Sequence, residues 1–246
     1  MSDTLTLLAF GPSGWGDELL RGAWLTIRLA IATLPVGLAL GFLVALAKRS
    51  RSKLLRAFGE GFSTIFRGLP ELLTLFLVFY GGQFLLQALV HLVSGVDIHV
   101  SAFLAAVVAL GLVFAAYASE VFAAAFNGIP IGQWEAAAAI GLHRWHTMRL
   151  VILPQLIRIA LPGLANLWLL LLKDTALVSV IALDDLLRMT SNAVGHTSQP
   201  FFFYLVACMI YLTISIVSSF GINAIERWSE RGQRRAAAPA PAERAA

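Results

Sequence analysis

The chain reads as an all-α membrane protein that crosses the bilayer about five times, with its N-terminus outside and its C-terminus in the cytoplasm. Three observations carry this reading. Of 246 residues, 59% are hydrophobic and only 13% are charged, a balance far from that of soluble domains. The apolar residues collect into five runs, each long enough for a helix to cross roughly 30 Å of hydrocarbon. The lysines and arginines fall mostly on alternate connections, as they do on the cytoplasmic loops of membrane proteins.

Residues 1–20 carry few basic groups and several Gly and Ser, and are expected to be an extracytoplasmic segment. Ser2, Asp3 and Thr4 stand where a secretion signal would be basic, so no removable signal is expected. The first run, 23–47, contains Gly37 and Gly41, a spacing that either lets another helix approach closely or is merely tolerated in lipid. Lys48, Arg49, Arg51, Lys53 and Arg56 follow at once and assign the first loop to the cytoplasm. The second run is entered through Arg67-Gly68-Leu69-Pro70-Glu71 and ends near Val93, with Pro70 starting or kinking its helix. Residues 91–100, without lysine or arginine, fit an outer loop.

The third run, 100–126, is rich in alanine and carries Glu120. A lone acid there is costly and calls for a protein partner or a water-filled cavity. The fourth run, from Ile159 to about Leu183, is interrupted by Lys173-Asp174-Thr175. Adjacent Lys and Asp leave a helix on different faces, so each needs its own partner or the helix breaks there. Asp184 and Asp185 open a second outer loop that extends to Pro200. The fifth run, 201–225, is closed by Arg227, Arg231, Arg234 and Arg235 on the inner side. Residues 21–228 thus form the transmembrane domain, and 229–246, ending in Ala and Pro, is expected to be a disordered cytoplasmic tail.

One hydrophilic stretch, 127–158, is long enough to be a device. Pro130 presets a first helical turn, Glu135 favours the positive helix end, alanines propagate the helix, and Gly141 permits a turn before a second short helix. A helix so thinly covered suits the groove of another protein; the alternative is an ordinary helical loop.

Several chemistries are missing. Cys208 is the single cysteine, which leaves no disulfide framework and no cysteine-based metal site. The pattern G-x-x-x-x-G-K-[ST] does not occur, so this chain does not hydrolyse ATP by that route. His143 and His146 lack a third ligand nearby, which argues against a metal. Basic residues placed beside apolar spans point to a bilayer and away from nucleic acid.

Glu135-Ala136-Ala137, Gly141 and Val151-Ile152-Leu153-Pro154 resemble, in order and spacing, the EAA signature of permease subunits of ABC importers, with Val151 where isoleucine is usual. Arg67-Gly68-Leu69-Pro70, Glu120 in its tyrosine-serine context, and Lys173 to Val180 (KDTALVSV) are similar to segments of the polar-amino-acid importers. The resemblance runs from Leu25 to about Ile225. It implies the type I ABC importer permease fold in the cytoplasmic (inner) membrane of a bacterium.

It further implies that Glu135, Ala136, Ala137, Gly141, Leu153 and Pro154 couple the chain to an ATPase. The implied pathway residues are Glu71, Glu120, Lys173, Asp174, Thr175, Asp184 and Asp185; for Arg67–Glu71 and Lys173–Asp174 a purely structural role stays open. The implied partners are a second permease subunit (a paralogue or the same chain), two ATP-binding subunits that hold ATP and Mg, and an extracytoplasmic solute-binding protein. The chain itself is then a transport subunit rather than an enzyme, and holds no cofactor. Glu71 directly after Pro70 looks most like the Q-type subunit of histidine, lysine, arginine and opine transporters, implying a basic amino acid as cargo. The family often places an arginine soon after the glutamate equivalent to Glu120; here Ala123, Ala124 and Ala125 follow, without that local partner. An ion-coupled secondary transporter and a membrane scaffold are the alternatives; the absence of an internal inverted repeat argues against the first.

Overall fold

The computed structural model describes residues 6–11, 14–94, 101–181 and 183–236. All regular structure among them is helical. Helix α1 spans Gly16–Lys48 and α2 Lys53–Gly68. After Pro70, α3 (Glu71–Phe76) passes through a π-helical turn, Leu77–Gly81, into α4 (Gly82–Ser94). Helix α5 is Ala102–Asn127 and α6 Ile131–Ala139. A short α7 (Arg144–His146) continues through a π-helical Thr147–Ile152 into α8 (Leu153–Asp174), which tightens to a 3₁₀ helix over Thr175–Ile181. Helix α9 is Leu186–Thr197 and α10 Pro200–Ala236.

Five of these stretches are long and apolar enough to cross a membrane: Gly16–Lys48, Glu71–Ala88, Ala102–Asn127, Arg144–Ile181 and Pro200–Arg227. The five-span reading of the sequence therefore holds. Helix α5 is the centre of the bundle. Its N-cap Ser101 accepts a hydrogen bond from the Leu104 N–H at 3.1 Å, and its alanines let neighbours approach closely on several sides. Leu110, Phe114, Ala118 and Phe122 are buried in the main core with Leu29 and Ala45 of α1 and Leu156, Leu167 and Leu171 of α8.

The Gly37 and Gly41 spacing is a seam between backbones. A methyl group on Gly37 would sit 2.5 Å from a ring carbon of Phe114; one on Gly41 would sit 2.8 Å from Ala118 Cβ and 2.9 Å from the Ala115 carbonyl oxygen. Neither position has room for a side chain, which selects the close-packing reading of this pair.

At the other end of α1, Leu19 and Ala23 pack with Leu186 and Ala193 of α9 and Phe203 and Ala207 of α10, forming a second, smaller core. Trp15 adds a tilted ring contact to His196 of α9, centroids 5.2 Å apart.

Four expectations are corrected here. The connection after Lys48 is largely helix α2, with Leu54, Phe58 and Ile65 exposed along one face and Arg56, Glu60 and Arg67 along another. An amphipathic helix escapes a search for continuous apolar runs because its apolar residues recur three and four apart, with polar ones between them. The second outer loop contains α9, capped by Asp185. Helix α1 begins at Gly16, inside the segment 1–20, and its first turn carries Asp17 and Glu18 where the helix dipole favours acids. Helix α10 runs on to Ala236, past the start of the expected tail at 229, because RWSERGQRRA contains nothing that stops a helix before Pro239. The remaining tail and most of the 91–100 loop lie outside the described residues.

Candidate functional site

The residues singled out from the sequence fall into two groups: a short helix displayed at one end of the bundle, and acids distributed along its length. Helix α6 begins after Pro130, whose backbone (φ −58°, ψ 140°) places it just before the helix rather than in its first turn. Glu135 is exposed and lies beyond that first turn, so it does not meet the positive helix end as the sequence suggested. The helix closes as a Schellman motif. The Leu142 N–H donates to the Ala137 carbonyl at 3.0 Å, the Gly141 N–H donates to the Ala138 carbonyl at 3.0 Å, and Gly141 takes φ +76°. That left-handed backbone is open to glycine without strain.

The alanines divide. Ala137 is buried, at 3% exposure, against the permease itself, while Ala136, Ala138 and Ala139 are exposed. Residues with more to offer a partner are those the sequence reading passed over: Ile131 and Ile140, each 75% exposed, and Trp145 at 64%. The sequence does hint at them, as large apolar groups inside an otherwise hydrophilic segment. Helix α6 is tied to the long fourth span: Gln155 Nε2 donates to Gln133 Oε1 at 3.1 Å and to the Val151 carbonyl at 2.8 Å. Leu153 is half-buried and Pro154 exposed, the latter standing where the π-helical turn passes into α8.

Deeper in the bundle, Glu71 and Asp174 come together. Glu71 opens α3 immediately after the break at Pro70, and Asp174 closes α8 immediately before the 3₁₀ segment. Their carboxyl groups lie within hydrogen-bonding reach of each other in a narrow cleft walled by Val113, Phe114, Tyr117 and Leu170. Glu71 stands at the start of the second span and Asp174 where the fourth tightens from α to 3₁₀, places where backbone groups are freed and a polar site is tolerated. Lys173 is exposed on a different face, as adjacent residues of a helix must be, and Thr175 is buried with its hydroxyl donating to the Leu172 carbonyl at 2.7 Å. The structure thus places Glu71 and Asp174 in one cleft and leaves Lys173 and Thr175 out of it.

Glu120, without a partner in its own next turn, finds three on other helices. Its Oε1 accepts from Lys48 Nζ at 2.6 Å, from Arg67 Nη1 at 2.7 Å and from Ser63 Oγ at 2.8 Å. Lys48 Nζ also donates to Ser63 Oγ at 2.8 Å, and its side chain is only 6% exposed. Lys48, counted as a loop charge from the sequence, is a buried staple that fastens the ends of α1, α2 and α5.

At the opposite end of the bundle, Asp184 is exposed and Asp185 is fully buried. Asp185 caps α9, accepting from the Arg188 N–H at 3.0 Å and the Leu187 N–H at 3.3 Å. Burial pushes its carboxyl up to about 6, against the lowering effect of those two backbone donors. The Leu186 N–H donates to Thr26 Oγ1 of α1 at 3.3 Å, so this turn is pinned to the first span.

A five-span helical bundle with a short helix turned out at one end and interrupted spans in the middle is the architecture of a transporter's membrane subunit. Residues 37–231 match the family described as binding-protein-dependent transport system inner membrane component, and the chain belongs to that family. It is 44% identical over 232 residues to the nopaline transport system permease protein NocQ of Agrobacterium fabrum, covering 94% of this chain and 98% of that protein. It is 39% identical to the arginine ABC transporter permease protein ArtQ of Escherichia coli, covering 88% and 97% respectively. Among solved structures, an amino acid ABC transporter with histidines superposes with a TM-score of 0.73 at 30% identity, covering 87% of this chain and 94% of that one. The chain therefore has the type I importer permease fold.

Proposed function

We propose that this chain is the permease subunit of an ATP-driven importer that carries a basic amino acid or an opine into the cytoplasm by alternating access. The observation that carries the cargo class is the meeting of Glu71 and Asp174. Two carboxyl groups in an apolar cleft, one at the start of the second span and one at the break in the fourth, form a site for a cationic group, because a desolvated carboxylate attracts a guanidinium or ammonium far more strongly than one in water. The named cargoes of two relatives, nopaline and arginine, support the same class.

Coupling follows from the other end. An ATPase subunit takes α6 with Ile131, Ile140 and Trp145 at the contact, and the motion passes through the Gln133–Gln155 tie and the Gly141 turn into the fourth span, whose α-helical part ends on Asp174. Glu135, Ala136, Gly141, Leu153 and Pro154 shape this lever, and Ala137 seats it against the bundle. The complex comprises a second permease subunit, two ATP-binding subunits holding ATP and Mg, and an extracytoplasmic solute-binding protein. The basic cluster 48–56 and α6 face the cytoplasm, with the N-terminus outside.

The test is uptake in proteoliposomes containing the whole complex. Asp174→Asn removes one charged partner of the cargo, a loss of about 1.5–3 kcal/mol, so arginine uptake falls roughly 10- to 150-fold, while a neutral cargo such as glutamine, where it is carried, loses less. Equal loss for both cargoes would remove the charge-selection reading. Uptake driven by an ion gradient in vesicles that lack any ATPase would replace the importer with a secondary transporter.

A further inference from the structure

The fifth span turns most of its surface outward, but one stripe faces in: Phe203, Ala207 and Tyr211 pack in the smaller core, and Ile214 touches both cores. Tyr211 is the polar member of that stripe. Its hydroxyl is enclosed where four elements meet, beside Thr26 of α1, Thr175 at the start of the 3₁₀ segment and the Asp185 cap of α9. Among the described residues it completes no hydrogen bond, a condition in which buried hydroxyls are rarely left. Its neighbours differ in what they already accept. Thr26 Oγ1 accepts from the Leu186 N–H at 3.3 Å while donating to the Gly22 carbonyl at 3.0 Å. Asp185 accepts from the Arg188 N–H with one oxygen and from the Leu187 N–H with the other. Thr175 Oγ1 donates to the Leu172 carbonyl at 2.7 Å and, among the described residues, accepts from no group. An unused donor therefore lies beside an unused acceptor, both shielded from water.

We infer that Tyr211 is a positioning residue for Asp174: its phenol donates to Thr175 Oγ1 and fixes the point at which the fourth span tightens from α to 3₁₀. Asp174 is the last residue of α8 and Thr175 the first of the 3₁₀ segment. An α-helix turns about 100° per residue and a 3₁₀ helix about 120°, so moving the boundary by one residue rotates the end of α8 by about 20° relative to the segment beyond it. A binding group tolerates a misalignment of only about 10–20°. Thr175, which stands outside the cleft, thus acts on it from behind, and the donor that holds it comes from the fifth span. The inference rests on the proposed role of Asp174 as a group that meets the cargo.

The test takes two readings on the purified complex with its ATPase chains: a thermal midpoint, and the Kd for radiolabelled arginine without solute-binding protein. Tyr211→Phe and Thr175→Val each delete one side of the bond while keeping the shape of the side chain. The double variant should melt close to the less stable single variant; additive losses would mean that the two hydroxyls are not joined and would overturn the inference. Tyr211→Phe should raise the arginine Kd about fivefold, the equivalent of about 1 kcal/mol for one neutral hydrogen bond, with the amount bound at saturation unchanged. A structural fault alone would lower the amount bound and leave the Kd where it was. In an Asp174→Asn background, Tyr211→Phe should add nothing to the Kd. Tyr204→Phe, at an exposed position earlier in the same helix, should change neither reading. An unchanged Kd in Tyr211→Phe, or a fivefold rise that persists in the Asp174→Asn background, overturns this inference and leaves the proposed function standing. A native complex that binds no arginine, or whose Kd is untouched by Asp174→Asn, defeats the proposed cargo site and the positioning role with it, while the midpoint cycle still reads the bond.

Discussion

Glu120 shows how much a single side chain can hold. Its one oxygen collects Lys48, Ser63 and Arg67, and through them three helices. Glu120→Gln leaves the buried ammonium of Lys48 with only Glu60, 4.0 Å away, as an anion, which should cost about 2 kcal/mol, less than for a fully buried pair because Glu120 keeps some contact with water. The expected result is a lower thermal midpoint in detergent with arginine and glutamine uptake reduced alike; Lys48→Met combined with Glu120→Gln should recover part of the midpoint. A selective loss of arginine uptake would instead return Glu120 to the cargo pathway. Asp185 is the second residue whose environment sets a measurable quantity. Its folded-state value of about 6 lies above the ordinary 3.8, so the native state holds the proton more tightly than the unfolded chain does. Its contribution to stability is complete below about pH 4 and is lost as pH rises through 6, a change of about 2–3 kcal/mol. Asp185→Asn keeps an acceptor for the cap and should flatten the thermal midpoint between pH 4 and 7; an unchanged slope would place the titration elsewhere.

At the scale of elements, α6 and its turn are the parts most exposed to test. Gly141 has φ +76° and open space around it, so Gly141→Val fails through backbone strain rather than crowding, at a cost of about 1–3 kcal/mol. The expected outcome is an inserted permease whose complex hydrolyses ATP without matching uptake, read by the ratio of the two rates in proteoliposomes; an unchanged ratio would mean the turn is not part of the coupling. The turn was legible in the sequence because glycine after a run of alanines has few other uses. Which alanine faces inward was not, since Ala136 and Ala137 are chemically identical and only the packing of α6 on the bundle separates them. Helix α9 was hidden for another reason: TSNAVGHT is too polar for a span and too rich in cap-forming residues to stand out as a helix, and its N-cap Asp185 has the sequence signature of a solvated acid. Lys48 was misplaced because a basic residue at the end of an apolar run obeys the loop rule by default, and its partner stands 72 positions further along the chain.

For the molecule as a whole, the five crossings could be read in the sequence because run length and charge asymmetry are local quantities. The meeting of Glu71 with Asp174 could not, since it depends on how two broken spans cross. The fifth span is exposed along most of its length, unlike α5, and therefore offers surface to lipid or to a second subunit. The seam at Gly37 and Gly41 has a further consequence. Where backbones touch, sliding or rotation is blocked by every neighbouring atom, so α1 and α5 are expected to move as one body. Locking the two together should then be harmless. A Cβ on Gly111 would lie 3.8 Å from Val36 Cβ, the separation a disulfide prefers. In a background with Cys208→Ser, oxidising the pair Val36→Cys and Gly111→Cys should leave transport at its reduced-state rate, whereas arrest on oxidation would mean that the first and third spans must part during each cycle.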